Sequence, residues 1–115
     1  MKQVGYLGPI GTYTYQCASK IYPEAEYIPF GSISDVFTLG FNCDYSVVPI
    51  ENSTFGSVQQ TLDCLASSEN SWIVVQEAFL SISHCLLAKS SEIKISRIYS
   101  HPQVAVINQG ARAVL

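Results

Sequence analysis

Apolar residues in this chain follow two alternating patterns: short runs closed by glycine or proline, and stripes at intervals of three and four. The runs predict buried strands, and the stripes predict helices with one covered face. Val4–Leu7 is the first run. Gly8-Pro9-Ile10-Gly11 turns the chain, and Thr12 is placed to cap a helix burying Thr14, Cys17, Ala18 and Ile21, which Pro23 ends. Tyr27–Phe30 predicts a second strand. Gly31-Ser32 then opens a second helix with Ile33, Val36, Phe37 and Phe41 facing inward. Asp44–Ile50 predicts a third strand, followed by a loop from Glu51 to Gly56. Ser57-Val58-Gln59-Gln60 has the form of a capping box, ahead of a stripe of Val58, Leu62, Leu65 and Ala66.

Beyond a polar loop at Ser67–Ser71, the stretch Trp72–Ala88 predicts one or two strands, and Ser90–Glu92 a turn. Arg97–Ser100 predicts a further strand. Pro102 suits the first turn of a last helix over Gln103–Leu115. Strands alternating with helices over short links define a layered α/β domain with a largely parallel sheet. The best internal boundary lies at Ser67–Ser71, or slightly later within Val75–Phe79.

Composition narrows the function. Charged residues make up 13% of the chain against 48% apolar, so disorder is excluded. The net charge is −3 and the six Lys and Arg are scattered, which argues against nucleic-acid binding, since that needs clustered cations. Gln76, Glu77 and His84 interrupt the longest apolar region, so no membrane span is expected. The start at Met1-Lys2-Gln3 runs directly into a strand and reads as no secretory signal, implying a cytoplasmic protein. Cys17, Cys43, Cys64 and Cys85 contain no Cys-x-x-Cys pair and are expected to be reduced, small core residues. Asn52-Ser53-Thr54 matches a glycosylation acceptor that a cytoplasmic chain would not use.

Three loops follow strands and open helices: Gly8–Thr12, Glu51–Ser57 and Ser100–Gln103. Ligands of open α/β sheets bind at such positions, where helix N-termini offer unpaired N–H groups to anions. Gly5, Gly8 and Gly11 are spaced three apart, which is not the dinucleotide fingerprint, and taken alone they read as turn residues. Glu51, Asn52, Ser53, Thr54 and Ser57 concentrate a carboxylate, an amide and hydroxyls between a buried strand and a helix; helix capping explains Ser57 but neither Glu51 nor Asn52. His84 and His101 lack a partner at triad or metal spacing and read as structural.

Together these segments resemble the prephenate dehydratases and the related arogenate dehydratases. The matching stretches are Tyr6-Leu7-Gly8-Pro9-Ile10-Gly11-Thr12-Tyr13-Thr14, then Asp44-Tyr45-Ser46-Val47-Val48-Pro49-Ile50-Glu51-Asn52-Ser53-Thr54 with Gly56-Ser57 and Thr61-Leu62-Asp63. Ser83-His84-Cys85-Leu86 and Tyr99-Ser100-His101-Pro102-Gln103 follow in the family's order. The resemblance implies a two-lobed fold like the type II periplasmic binding proteins. It would place residues 1–75 in the first lobe and 76–115 in an incomplete second lobe, without a phenylalanine-sensing ACT domain.

By the same resemblance, Pro9, Gly11, Thr12, Glu51, Asn52, Ser53, Gly56 and Ser57 would line the first lobe's side of a prephenate cleft. Ser100, His101 and Gln103 would face them. The family's catalytic threonine lies in a Thr-Arg-Phe motif, which nothing in these residues matches. The implied reaction makes phenylpyruvate from a dicarboxylate with neither cofactor nor metal, and an unfinished lobe would invite pairing into a homodimer. Two readings compete with a half-enzyme: a non-catalytic module of the same fold that binds an aromatic or dicarboxylic acid, and an inert fragment or scaffold.

Overall fold

The computed structural model describes residues 1–52, 56–82, 87–90 and 94. The Arg97–Ser100 strand and the helix expected from Gln103 lie outside these residues. Met1–Leu80 form one compact unit, and the residues from Ser81 on fall into a second.

In the first unit three strands, β1 (Gln3–Leu7), β2 (Glu26–Phe30) and β3 (Tyr45–Val47), lie parallel in the order β2-β1-β3. Helix α1 (Tyr13–Ile21) joins β1 to β2, and α2 (Ile33–Leu39) joins β2 to β3. This is the parallel α/β arrangement that the alternating pattern predicts. Both helices begin where a hydroxyl allows it: Thr12 accepts from the Tyr15 amide and Ser32 from the Asp35 amide.

The two helices lie on opposite faces, because right-handed crossovers that run in opposite directions across the sheet put them there. Val4 and Tyr6 pack with Ala18 of α1, and Tyr45 and Val47 join them. Gly5 and Ser46 point the other way, toward the Phe30 ring and Gly40 just beyond α2. The α1 face is rich in tyrosine: Tyr22 stacks on Tyr45 at 4.7 Å between ring centres, and Tyr15 packs against both Tyr6 and Tyr27. Burial holds the Tyr6 and Tyr22 hydroxyls above their ordinary pKa.

Four expectations need correction. The third strand is shorter than Asp44–Ile50, and the chain beyond it forms a hairpin of β4 (Glu51–Asn52) and β5 (Gly56–Ser57) rather than a plain loop. Helix α3 spans Gln59–Ala66 with Val58 at its cap position and no side-chain cap; Ser57 is drawn instead into pairing with Glu51, so no capping box forms. Phe41 is exposed, because α2 stops at Leu39 and a tight turn over Gly40–Asn42 swings it off the buried stripe. Residues 72–82 carry no strand, although their composition predicts one.

Candidate functional site

The strand order sets where a candidate site can lie. From β1 the chain crosses to β2 on one side, and from β2 it crosses to β3 on the other, so connections diverge between β1 and β3. Crevices at such switch points, beyond the carboxyl ends of the strands, are where open α/β sheets take ligands. The loop Gly8–Thr12 leaves the end of β1 and the β4–β5 hairpin follows β3, so both rise from this end of the sheet. Their helices close opposite sides, with α1 on one face and α3 packed on α2 at the other.

Threonine hydroxyls fix both exits. Thr12 Oγ1 donates to the Leu7 carbonyl at 2.8 Å while accepting from the Tyr15 amide at 3.3 Å. Thr14 Oγ1 donates to the same carbonyl at 2.5 Å. Thr61 Oγ1, fully buried, donates to the Pro49 carbonyl at 2.6 Å. Pro9 stands after a cis peptide from Gly8, and its carbonyl accepts from the Thr12 amide at 3.3 Å. Gly11 closes the turn at φ +91°, a left-handed conformation that favours glycine.

The Thr12 hydroxyl is therefore committed to backbone, and Thr12 shapes the first loop by holding it. Thr61 was not singled out for this role by the sequence. Its signals were its place in the matching stretch Thr61-Leu62-Asp63 and a hydroxyl on a helix that follows a proline-ended strand.

The hairpin is built differently. Glu51 pairs with Ser57 and Asn52 with Gly56, and the Val58 amide donates to the Ile50 carbonyl at 2.9 Å. Gly56 sits at φ +80°, again left-handed. Glu51, Gly56 and Ser57 are exposed and Asn52 is half-buried. Helix α3 starts directly behind Ser57 without a side-chain cap. Its first-turn N–H groups therefore keep the anion preference that Thr12 partly satisfies at α1. Ser53 of the hairpin turn, and Ser100, His101 and Gln103 of the third loop, lie outside the described residues.

Among the described residues no group of His, Cys, Asp and Glu could hold a metal ion. Cys17, Cys43 and Cys64 are free. Burial pushes the Cys17 thiol up against an opposing pull from Lys20, and burial together with Asp44 and Glu26 does the same to Cys43. Neither is primed as a nucleophile. Among the described residues, no helix is long and apolar enough to cross a membrane.

The family model for prephenate dehydratase matches residues 4–112. The chain belongs to the prephenate dehydratase family. A prephenate dehydratase of Lactococcus lactis subsp. cremoris is 40% identical over 104 residues, covering 88% of this chain and 37% of the relative. The bifunctional chorismate mutase/prephenate dehydratase of Pseudomonas aeruginosa is 39% identical over 106 residues, covering 88% of this chain and 28% of that protein. Arogenate dehydratase 2 of Petunia hybrida is 37% identical over 106 residues, covering 88% and 26%. The X-ray structure of prephenate dehydratase from Streptococcus mutans superimposes with a TM-score of 0.55 at 32% identity, covering 60% of this chain and 38% of that one. The chain thus spans little more than a third of the Lactococcus relative it matches.

Proposed function

We propose that the crevice between the ends of β1 and β3 is one wall of a prephenate site in cytoplasmic phenylalanine synthesis, and that these 115 residues bind the substrate without turning it over. The observation that carries this reading is the exposed Ser57 beside the uncapped start of α3, at the switch point of a prephenate dehydratase family fold.

Prephenate carries two carboxylates and a ring hydroxyl. When its ring carboxylate leaves as carbon dioxide, the bonding pair enters the ring, the hydroxyl departs with a proton as water, and aromatic phenylpyruvate results. The side-chain carboxylate must be held while the ring carboxylate must be free to leave. Neutral donors hold an anion without over-stabilising it. The first turn of α3 with Ser57, and the start of α1 beyond the Gly11 turn, supply such donors.

Glu51 cannot bind a carboxylate, since like charges repel. It suits the substrate's hydroxyl as a hydrogen-bond acceptor. The hydroxyls of Thr12, Thr14 and Thr61 are engaged with backbone carbonyls and are not assigned as the source of the proton that accompanies the hydroxyl.

Calorimetric titration of the chain with prephenate tests the proposal. Saturable binding without phenylpyruvate formation is expected, and Ser57→Ala should weaken it roughly tenfold, the worth of one hydrogen bond to an anion. A folded chain that does not bind prephenate sinks the site. Steady phenylpyruvate release would show that the proton donor lies within these residues.

A further inference from the structure

The chain leaves α3 through a hook made of two half-buried side chains, Asn70 and Trp72. Both ends of the Asn70 amide are engaged. Its Nδ2 donates to the Leu65 carbonyl and to the Trp72 carbonyl, each at 3.2 Å, while its Oδ1 accepts from the Trp72 amide at 2.9 Å. The Asn70 backbone amide donates to the Ser67 carbonyl at 3.1 Å. Held in this way, Trp72 extends its indole to α2, where Nε1 donates to the Phe37 carbonyl at 3.1 Å. Leu65 and Phe37 both lie in the last turns of their helices, whose carbonyls have no partner inside the helix. One hook thus joins the carbonyl ends of α2 and α3.

The hook acts at the end of α3 remote from the crevice. At the near end, Thr61 Oγ1 donates to the Pro49 carbonyl at 2.6 Å and the Val58 amide to the Ile50 carbonyl at 2.9 Å. Those two bonds tie α3 to the stretch that opens the β4–β5 hairpin, so helix and hairpin form one piece. Helix α2, by contrast, is seated on the sheet, with Ile33 and Val36 buried. The bond from the Trp72 indole to Phe37 therefore ties the ligand-facing piece to a seated helix. An eight-residue helix is a rod of about 12 Å, so a shift permitted at its last turn reappears at its first.

We infer that Asn70 and Trp72 are positioning residues for the crevice: they fix where the first turn of α3 and Ser57 stand, without touching the ligand. The inference rests on the prephenate reading of that wall. Local sequence hides the device, because Phe37 and Trp72 stand 35 residues apart.

Two substitutions open the hook differently. Trp72→Phe keeps a ring and removes the N–H; Asn70→Asp keeps Oδ1 and removes both Nδ2 donors. Amide hydrogen exchange of the full chain is read by NMR at Leu62, whose amide bonds to the Val58 carbonyl at the start of α3, with β1 as the reference. Each variant should speed exchange at Leu62 about tenfold and leave β1 at the parent rate. The double variant should add little, because both changes release one hook. In calorimetric titration each variant should bind prephenate roughly fivefold more weakly than the parent.

Fraying of the helix end alone would speed exchange at Leu65 and Ala66 but not at Leu62, and a general loss of stability would speed β1 equally. Either result overturns the inference, as does faster exchange at Leu62 with prephenate affinity equal to the parent's. If the parent itself does not bind prephenate, the functional reading of the wall falls, and exchange at Leu62 still decides whether the hook positions α3.

Discussion

The hydroxyl of Thr61 donates to the carbonyl of Pro49 at 2.6 Å, joining the first turn of α3 to the chain just beyond β3. Pro49 sits at the exit of a parallel strand, and the Thr61 side chain is fully buried, so no water can replace this partner. Thr61→Val keeps the shape and leaves the carbonyl unsatisfied. It should cost about 1–3 kcal/mol in urea denaturation, whereas Thr61→Ser should keep most of the bond. A loss in Thr61→Ser with none in Thr61→Val would show that packing of the methyl, not the hydroxyl, holds the hairpin.

Thr12 has the matching duty at β1. Thr12→Ala removes the cap of α1 and one of two hydroxyls on the Leu7 carbonyl, and should destabilise by roughly 1 kcal/mol. Thr12→Ser should fold as the parent does and bind prephenate with unchanged affinity, because the hydroxyl serves the backbone. Serine rescuing stability but not affinity would mean that the threonine methyl touches the ligand.

What the sequence disclosed, and what it hid, divides by the range of the interaction. The caps at Thr12 and Ser32 are legible because hydroxyl and amide lie three residues apart, and nothing distant competes. The same local reading fails at Ser57, where pairing with Glu51 across a left-handed Gly56 outbids the capping box. Phe41 keeps helical spacing on paper, but the tight turn at Gly40 breaks the count. Residues 72–82 have strand composition, yet a strand is defined by its neighbour, and composition cannot supply one. That the Gly8–Thr12 loop and the segment after β3 leave the same end of the sheet was legible, because strand–helix alternation implies parallel strands.

Stability should fall at alkaline pH. Tyr6 and Tyr22 ordinarily ionise near 10.0, and Cys17 and Cys43 near 9.0; burial raises all four in the folded chain. Above those ordinary values the unfolded chain loses protons that the folded chain retains, so this contribution is complete below about pH 9 and is lost as pH rises through the folded values. Urea midpoints should be flat near neutrality and decline from there upward, with a shallower decline for Tyr6→Phe. A stability curve independent of pH in that range would mean these hydroxyls and thiols reach water.

Gly5 and Ser46 are paired neighbours on β1 and β3 with no room between them for a Cβ. A Cβ on Gly5 would stand 2.8 Å from Ser46 Oγ and 3.0 Å from Phe30 Cε2, closer than carbon tolerates. Gly5→Ala should therefore cost about 1–3 kcal/mol through overpacking. Ser46 Oγ is itself buried and has no hydrogen-bond partner, so its hydroxyl was stripped of water without return. Ser46→Ala should be neutral or stabilising by about 1 kcal/mol. The double variant settles the cause: with Oγ gone, the alanine at position 5 meets one obstacle fewer, and its cost should drop below that of Gly5→Ala alone. Strict additivity in thermal denaturation would place the strain on the Phe30 ring.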